Sequence, residues 1–473
     1  MNCSAPVRFR FHNKTQNSTF VGMDSAEKNA NKGPAGQVSY PDKGSRSAGL
    51  FKRAQKVLPD GVSRSTIRFA PYPIYVSTAE GKHITDVDGN QLIDFNYNYT
   101  ALIHGHAHPA VVEAVNEQLK KGTCYSFSSE GELALAELLC GRCDNFDKIR
   151  FTNSGTEAVM TAMKAARAYT GRSKIAKCEN SYHGSYDFAE VSLSVSPTDL
   201  GEGDPESRAY SKGTPRGVLD DVVVIPFNDV SNAGRILERH ADELAAVVFD
   251  PFGASFSRVR PSDEFIAMLR DFCDRHDALL IADEVMAFRA GMAGVQGDRG
   301  IRTDLTTLGK IIGGGFPVGA VAGRAEYMAV FETVEGKARL PHGGTFNANP
   351  ITMVAGHAAM QLLTAESFAN LNALGDAFRK GIREVFDLTD TEALVEGQYS
   401  MFGITVFDPD LADSSTVGHV YESRGLHRYM VRHGYWLSPG LMGVLCTLMD
   451  TTDIDPFCET LRQGILELKV QGS

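Results

Sequence analysis

The chain has 473 residues, 43% of them hydrophobic, which is more than one ordinary core holds and points to two domains. No run approaches the roughly 18 to 20 apolar residues of a membrane span, and a formal net charge of -11 argues against a nucleic-acid groove, whose phosphates demand clustered Lys and Arg. Eight cysteines, scattered among apparent core segments, suit reduced thiols in a cytoplasm better than a disulfide scaffold.

Residues 1–45 are rich in Asn, Ser, Lys and Gly and lack the apolar core of a secretory signal, so a disordered extension is expected there. Residues 46–115 read as the N-terminal part of a small domain: a helix, then short strands at 74–76 and 82–86, with a turn at Asp88-Gly89. From 116 to 345 strand and helix patterns alternate, the mark of a mainly parallel sheet with helices on both faces. Within it, 148–150 and 174–176 are strand-like and 158–169 is helical. Phe265, Leu269, Phe272 and Cys273 form a helical stripe capped by Ser262, and the apolar run 278–282 has the length of a buried parallel strand. Residues 346–473 read as an α+β portion that completes the small domain. The expected fold class is therefore α/β, a large domain plus a small α+β domain built from both chain ends.

Asp283 closes the run 278–282, at the carboxyl edge where such sheets bind ligands. Lys310 follows a second short run, 304–308, and enters the glycine-rich segment Gly309-Lys310-Ile311-Ile312-Gly313-Gly314-Gly315, so its amine can reach the same crevice. A lysine amine and a carboxylate are the two anchors that pyridoxal 5'-phosphate needs, one for its aldehyde and one to keep its ring nitrogen protonated. Taken singly, the two read as an ordinary strand-end aspartate and a solvated lysine; the other motifs change that balance. Phe151-Thr152-Asn153-Ser154-Gly155-Thr156-Glu157 puts small and hydroxyl residues at a helix start, where backbone N–H groups suit a phosphate, although an unliganded cap looks similar. Ser181-Tyr182-His183-Gly184 offers an aromatic ring to stack on a flat cofactor, or a half-buried tyrosine with a wet hydroxyl. Two patterns suggest metal: His104, His106 and His108, and Cys140-Gly141-Arg142-Cys143. Both lack the further ligands such sites need, and no metal is expected.

The order of these pieces resembles that of the class III aminotransferases of fold type I, above all the β-amino acid (β-phenylalanine type) transaminases and the glutamate-1-semialdehyde aminomutases. The resemblance runs from about residue 50 to the C-terminus and includes Asp86-Val87-Asp88-Gly89-Asn90, Gly105-His106-Ala107-His108-Pro109 and Gly344-Thr345-Phe346-Asn347-Ala348-Asn349-Pro350. It implies a pyridoxal-phosphate transferase with a seven-stranded-type sheet, in which Lys310 is the Schiff-base lysine and Asp283 the partner of the pyridine nitrogen. It further implies that Ser154, Gly155 and Thr156 bind phosphate, that Tyr182 stacks on the ring, and that Thr345 reaches the phosphate of a neighbouring subunit. The active sites are then shared within a homodimer.

For the substrate, Arg64 matches the Ser-Arg-Ser arginine of the β-amino acid enzymes, and Arg68 lies nearer the arginine of the aminomutases; a guanidinium fork suits a carboxylate. Gly344 to Pro350 and Asn96-Tyr97-Asn98-Tyr99-Thr100 resemble the β-amino acid enzymes. Lys310 with its glycines, and an insert at 192–217 where a lid is found, resemble the aminomutases. Two departures stand out: Ser438-Pro439-Gly440 replaces the second, Ser-Pro-Arg arginine of the β-phenylalanine enzymes, and Asp250-Pro251 replaces the common Glu-Pro. The expectation is a cytoplasmic transaminase that moves an amino group from an amino acid, with a β-amino acid donor favoured, to an α-keto acid. Aminomutase activity is the alternative, and a catalytically silent binding protein is a third reading that Lys310 counts against.

Overall fold

The computed structural model describes residues 38–195, 203–253, 259–407, 416–417, 420–421 and 424–472. The extension expected at 1–45 therefore lies largely outside the described residues, but its last part is packed. Val38 and Tyr40 are buried, the Val38 amide donates to Arg432 O at 2.7 Å, and the Tyr40 hydroxyl donates to Tyr72 O at 2.7 Å.

After the helix Arg46–Ala54, three strands form an antiparallel meander: β1 (Val76–Glu80), β2 (His83–Asp86) and β3 (Gln91–Asp94). Pairing starts at Val76 rather than at 74, since Pro71 and Pro73 offer no ladder N–H. The Asp-Gly turn expected at 88–89 joins β2 to β3, where Asp86 Oδ1 accepts from the amides of Asp88 at 2.9 Å and Asn90 at 2.8 Å. The fourth strand of this sheet, Tyr435–Trp436, comes from the far end of the chain and lies parallel to β3, Ile93 opposite Tyr435.

The centre is a seven-stranded sheet of β4 (Lys148–Thr152), β5 (Lys174–Cys178), β6 (Val222–Ile225), β7 (Leu244–Phe249), β8 (Leu279–Asp283), β9 (Leu305–Gly309) and β10 (Gly319–Gly323), in the order β4-β10-β9-β8-β7-β5-β6. The strands from β6 to β9 are parallel; β10 runs antiparallel to both its neighbours. Because side chains alternate along a strand, Val248, Ile281 and Leu305 face Ala158, Val159, Ala162 and Met163 of the helix Gly155–Thr170. Val247, Leu280 and Ala282 face the opposite way, against Phe265, Leu269 and Phe272 of the helix Asp263–His276 and Ile236 and Leu237 of the helix Val230–Arg239. The expected Ser262 cap is present, its hydroxyl accepting from Phe265 N at 3.1 Å. This is the fold type I architecture of pyridoxal-phosphate transferases, helices on both faces of a mostly parallel sheet.

Beyond the large sheet, the helices Pro350–Gln361 and Ala365–Leu388 lead to the strands Ala393–Glu396, Met401–Val406 and Met442–Val444 and to the closing helix Ile454–Gly472. Phe378, Phe402 and Phe457 from these elements pack around Phe95, just after β3, with ring centroids 5.0 to 5.9 Å from it. One aromatic core thus joins segments from both chain ends. No described helix is long and apolar enough to cross a membrane.

Gly375 sits where the helix Ala365–Leu388 meets the backbone of Tyr399: a Cβ there would lie 1.9 Å from that carbonyl oxygen. Gly375→Ala is expected to cost about 1–3 kcal/mol by overpacking, lowering the midpoint of thermal unfolding. Gly49, in the helix Arg46–Ala54, has nothing within 4 Å of its Cβ position, so Gly49→Ala in the same assay should be neutral or stabilising by up to about 1 kcal/mol.

Candidate active site

The carboxyl ends of the central strands build the site. Asp283, the last residue of β8, is buried, and its Oδ2 lies 2.8 Å from His183 Nδ1. Its Oδ1 accepts from the Thr307 hydroxyl at 2.9 Å and from the Val285 amide at 3.1 Å. Burial alone pushes this carboxyl up. The hydrogen bond and charge of His183, with the Val285 and Thr307 bonds, outweigh it and hold Asp283 below the ordinary carboxylate value. The bond to Asp283 assigns the proton to Nδ1 of His183. His183 Nε2 is also buried and has no partner among the described residues.

Lys310 follows β9 and opens a tight turn, Lys310–Gly313, with φ of 49° at the lysine. A left-handed backbone is uncommon outside glycine and is tolerated where the surroundings fix it. Burial lowers the Lys310 amine from its usual value, Asp283 and Asp250 partly restore it, and Arg289 pushes it down again. A lysine whose amine pKa is lowered gives up its proton more readily, which favours its use as a nucleophile.

The helix start at Ser154 stands against this pair. Ser154 Oγ caps the helix by accepting from Glu157 N at 3.1 Å, and Thr156 Oγ1 accepts from Ser185 N at 3.1 Å. A Cβ at Gly155 would lie 2.7 Å from Val285 Cγ1, and one at Gly184, where φ is 93°, would lie 2.6 Å from Thr156 Oγ1. Glycine at these two positions lets the segments 154–156, 183–185 and 283–285 converge. Tyr182, beside the buried His183, is 50% exposed. These residues fit pyridoxal phosphate. The helix start offers hydroxyls and amides, Asp283 stays ionised with His183 beside it, and Lys310 supplies an amine.

The remaining candidates are Thr345, Arg68 and Arg64. Thr345 is exposed, on a loop tied to the helix start by Asn347 Oδ1, which accepts from Asn153 Nδ2 at 2.7 Å. Arg68 is already engaged: its Nε is 3.1 Å from Asp60, its Nη1 donates to Phe69 O at 2.9 Å, and its guanidinium lies over Phe51, 4.8 Å from the ring centroid. Arg64 makes one side-chain bond, Nη1 to Asn98 Oδ1 at 3.0 Å.

Asn98 belongs to a stretch that sequence reading did not foresee. Tyr97, Asn98, Tyr99 and Thr100 are all left-handed, with φ of 45°, 51°, 55° and 77°, at a cost of about 1–2 kcal/mol per residue. Bonds at both ends hold it. Asp94 Oδ1 accepts from Asn96 N at 2.7 Å and Tyr97 N at 3.0 Å; the Tyr99 hydroxyl donates to Thr66 O; and Arg289 Nη1 donates to Thr100 O at 2.9 Å. Arg289 is fully buried and spends its other donors on Leu445 O at 2.6 Å and Ser400 Oγ at 3.1 Å. His183, Thr307 and Arg289 were all missed as site residues. His183 was visible beside Tyr182 and Thr307 two residues from the end of β9, whereas nothing local marks Arg289, whose partners lie more than a hundred residues away.

Replacing Arg289 by Ala strands Thr100 O, Leu445 O and Ser400 Oγ, each worth about 1–3 kcal/mol when buried without a partner. The variant should unfold at clearly lower denaturant concentration, with Arg289→Lys recovering only part of the loss, because an ammonium cannot span three divergent acceptors.

Comparison with known proteins agrees with this construction. The family pattern of aminotransferase class-III matches residues 67–434. The glutamate-1-semialdehyde 2,1-aminomutase of Methanopyrus kandleri is 39% identical over 407 residues, 85% of this chain and 92% of that one. The crystal structure of an ω-transaminase from Sphaerobacter thermophilus is 44% identical, covering 91% of this chain and 99% of that one, with a TM-score of 0.86. A β-phenylalanine aminotransferase from Variovorax paradoxus is 32% identical, covering 89% and 94%, with a TM-score of 0.79. With its family pattern, its fold and its paired lysine and aspartate in agreement, the chain belongs to the class III aminotransferases, enzymes that depend on pyridoxal phosphate.

Proposed function

We propose that the protein is a transaminase that takes the amino group of a carboxylated donor, with a β-amino acid favoured, and passes it to an α-keto acid. The observation that carries this reading is the state of the two arginines. Arg68, the aminomutase-like candidate, is occupied by Asp60, Phe69 and Phe51, whereas among the described residues the Arg64 fork has one side-chain partner, Asn98, which fixes its direction. The likeness to a transaminase at 44% identity and to a β-phenylalanine aminotransferase supports it. A glutamate-1-semialdehyde-type aminomutase is the second reading, supported by the 39% identity to such an enzyme.

Bound pyridoxal phosphate supplies an electron sink for the bond-breaking at the substrate carbon. In this reading Lys310 would hold the cofactor through its amine and would serve as the base that carries the proton to and from that carbon. Asp283, ionised by its three donors, keeps the ring nitrogen protonated. Ser154, Gly155 and Thr156 hold the phosphate at the helix start, and Tyr182 covers the ring. Thr345, exposed on its own chain, completes the site of a second copy in a cytoplasmic homodimer. Arg64 orients the donor through its carboxylate.

The test is the absorption spectrum of the yellow, cofactor-loaded protein, titrated with (S)-β-phenylalanine and with an aliphatic β-amino acid. Loss of the band, and its recovery on adding an α-keto acid, is the expected result; an unchanged spectrum with both donors, but a response to glutamate-1-semialdehyde, would establish the aminomutase instead. Arg64→Ala should lower kcat/KM for a β-amino acid by roughly 10–100-fold, the worth of a charge-assisted bond of about 1.5–3 kcal/mol, mostly through KM. Arg68→Ala should change it little.

A further inference from the structure

We infer that Asp250 is a second carboxyl of the site, the one that holds a proton while Asp283 holds the charge, and that it sets how Lys310 responds to pH. The inference rests on the reading of Lys310 as the cofactor's lysine. The argument begins with strand register. Phe249, the last residue of β7, pairs with Ala282 of β8, so Asp250 and Asp283 leave neighbouring strands side by side. Adjacent strands lie about 4.8 Å apart. On the other side Asp283 pairs with Thr307 of β9, whose next turn carries Lys310. Three consecutive strand ends therefore deliver two carboxyls and an amine to one place.

Two carboxylates so close, at the floor of a crevice, do not both ionise near neutrality. The donors decide which one does. Asp283 receives a histidine, a hydroxyl and an amide. Among the described residues, Asp250 receives backbone amides, that of Phe252 at 2.8 Å and that of Gly253. The anion therefore settles on Asp283, and burial, then the Asp283 charge, push Asp250 up to about 8. Asp250 is partly accessible, but it lies deep enough in the crevice for its charging to be costly. The aspartate also accounts for the departure at Asp250-Pro251. Its short side chain reaches the amide two residues on, and a glutamate, one methylene longer, would carry the carboxyl past it.

The other groups facing this pair are His183, Glu284, Cys178 and Arg289. Glu284 is buried and also pushed up to about 8, by burial and then by Asp250 and Asp283. Its oxygens, however, accept from Val295 N at 3.1 Å and Gln296 N at 2.7 Å and pack on Gly294, away from Lys310. Burial, with the Asp250 charge adding, raises the Cys178 thiol on β5 to about 12, so it stays neutral. Arg289 acts on Lys310 as a fixed positive charge. Below about pH 8 the site thus holds one carboxylate; above it Asp250 loses its proton to solvent, and a second negative charge raises the affinity of Lys310 for a proton.

The experiment is a pH titration, from about pH 6 to about pH 10, of the cofactor absorbance of wild type, Asp250→Asn, Asp250→Ser and Glu284→Gln. The cofactor-free proteins are labelled in parallel with an amine-reactive reagent, and the Lys310 peptide is quantified by mass spectrometry. The wild type and Glu284→Gln are expected to show an inflection close to pH 8, and both Asp250 variants to bind the cofactor but lack it. Without cofactor, Lys310 should label faster in Asp250→Asn at about pH 9, by roughly tenfold for each unit of lysine pKa that the Asp250 charge had supplied. The inference is overturned if either Asp250 variant titrates and labels as the wild type does, or if Glu284→Gln alone removes the inflection. Should Lys310→Ala load the cofactor with an unchanged spectrum, the assignment of the lysine itself fails, a result distinct from the other two.

Discussion

The structure turns on the register of three adjacent parallel strands. With Phe249 opposite Ala282 and Asp283 opposite Thr307, the chain leaves β7, β8 and β9 at one level, and the residues that follow form a single row. A slip of one residue in any pair would point the carboxylate into the helix layer. The strands are wholly buried, β7 and β8 mainly aliphatic and β9 with two threonines between its leucines, and the two helix layers hold them from both faces. Packing thus fixes the distance between acid and amine before any ligand arrives, the preorganisation on which such chemistry depends.

Electrostatics then distinguishes groups that sequence alone treats as equal. Asp250, Asp283 and Glu284 are three carboxyls within a short span of the sheet, and each has a different donor set. His183, Thr307 and an amide keep Asp283 charged, whereas burial and the neighbouring charge leave Asp250 and Glu284 protonated at neutrality. One net negative charge faces Lys310 where three acidic side chains are present. The histidine that achieves this is itself incomplete, its Nε2 buried and without a partner among the described residues.

How much of this was legible depends on whether the determining contact was local. The β8 strand and Asp283 were, because an uninterrupted apolar run ending in a carboxylate has few other uses. The helix at 158–169 was visible by its period, and its true start at Gly155 follows from the Ser154 cap. By contrast β10, Gly-Ala-Val-Ala-Gly, has a single branched residue, Val321, of the kind that marks a strand; close contact explains Gly319, where a Cβ would lie 2.0 Å from Ser154 O. The left-handed run Tyr97–Thr100 was illegible for a related reason. Only its asparagine favours that conformation, and the rest are held there by Asp94 and Arg289. Arg64 and Arg68 looked alike as letters, and Asp60 and Phe51 tell them apart.

The pairing of β3 with Tyr435–Trp436 has a bearing on how the molecule is made. During synthesis, Gln91–Asp94 emerges long before its partner strand and waits for nearly the whole chain to be translated. Phe95 likewise waits for Phe378, Phe402 and Phe457. The small sheet that Tyr435–Trp436 completes therefore closes late, after all seven strands of the central sheet, the last ending at Gly323, have been translated.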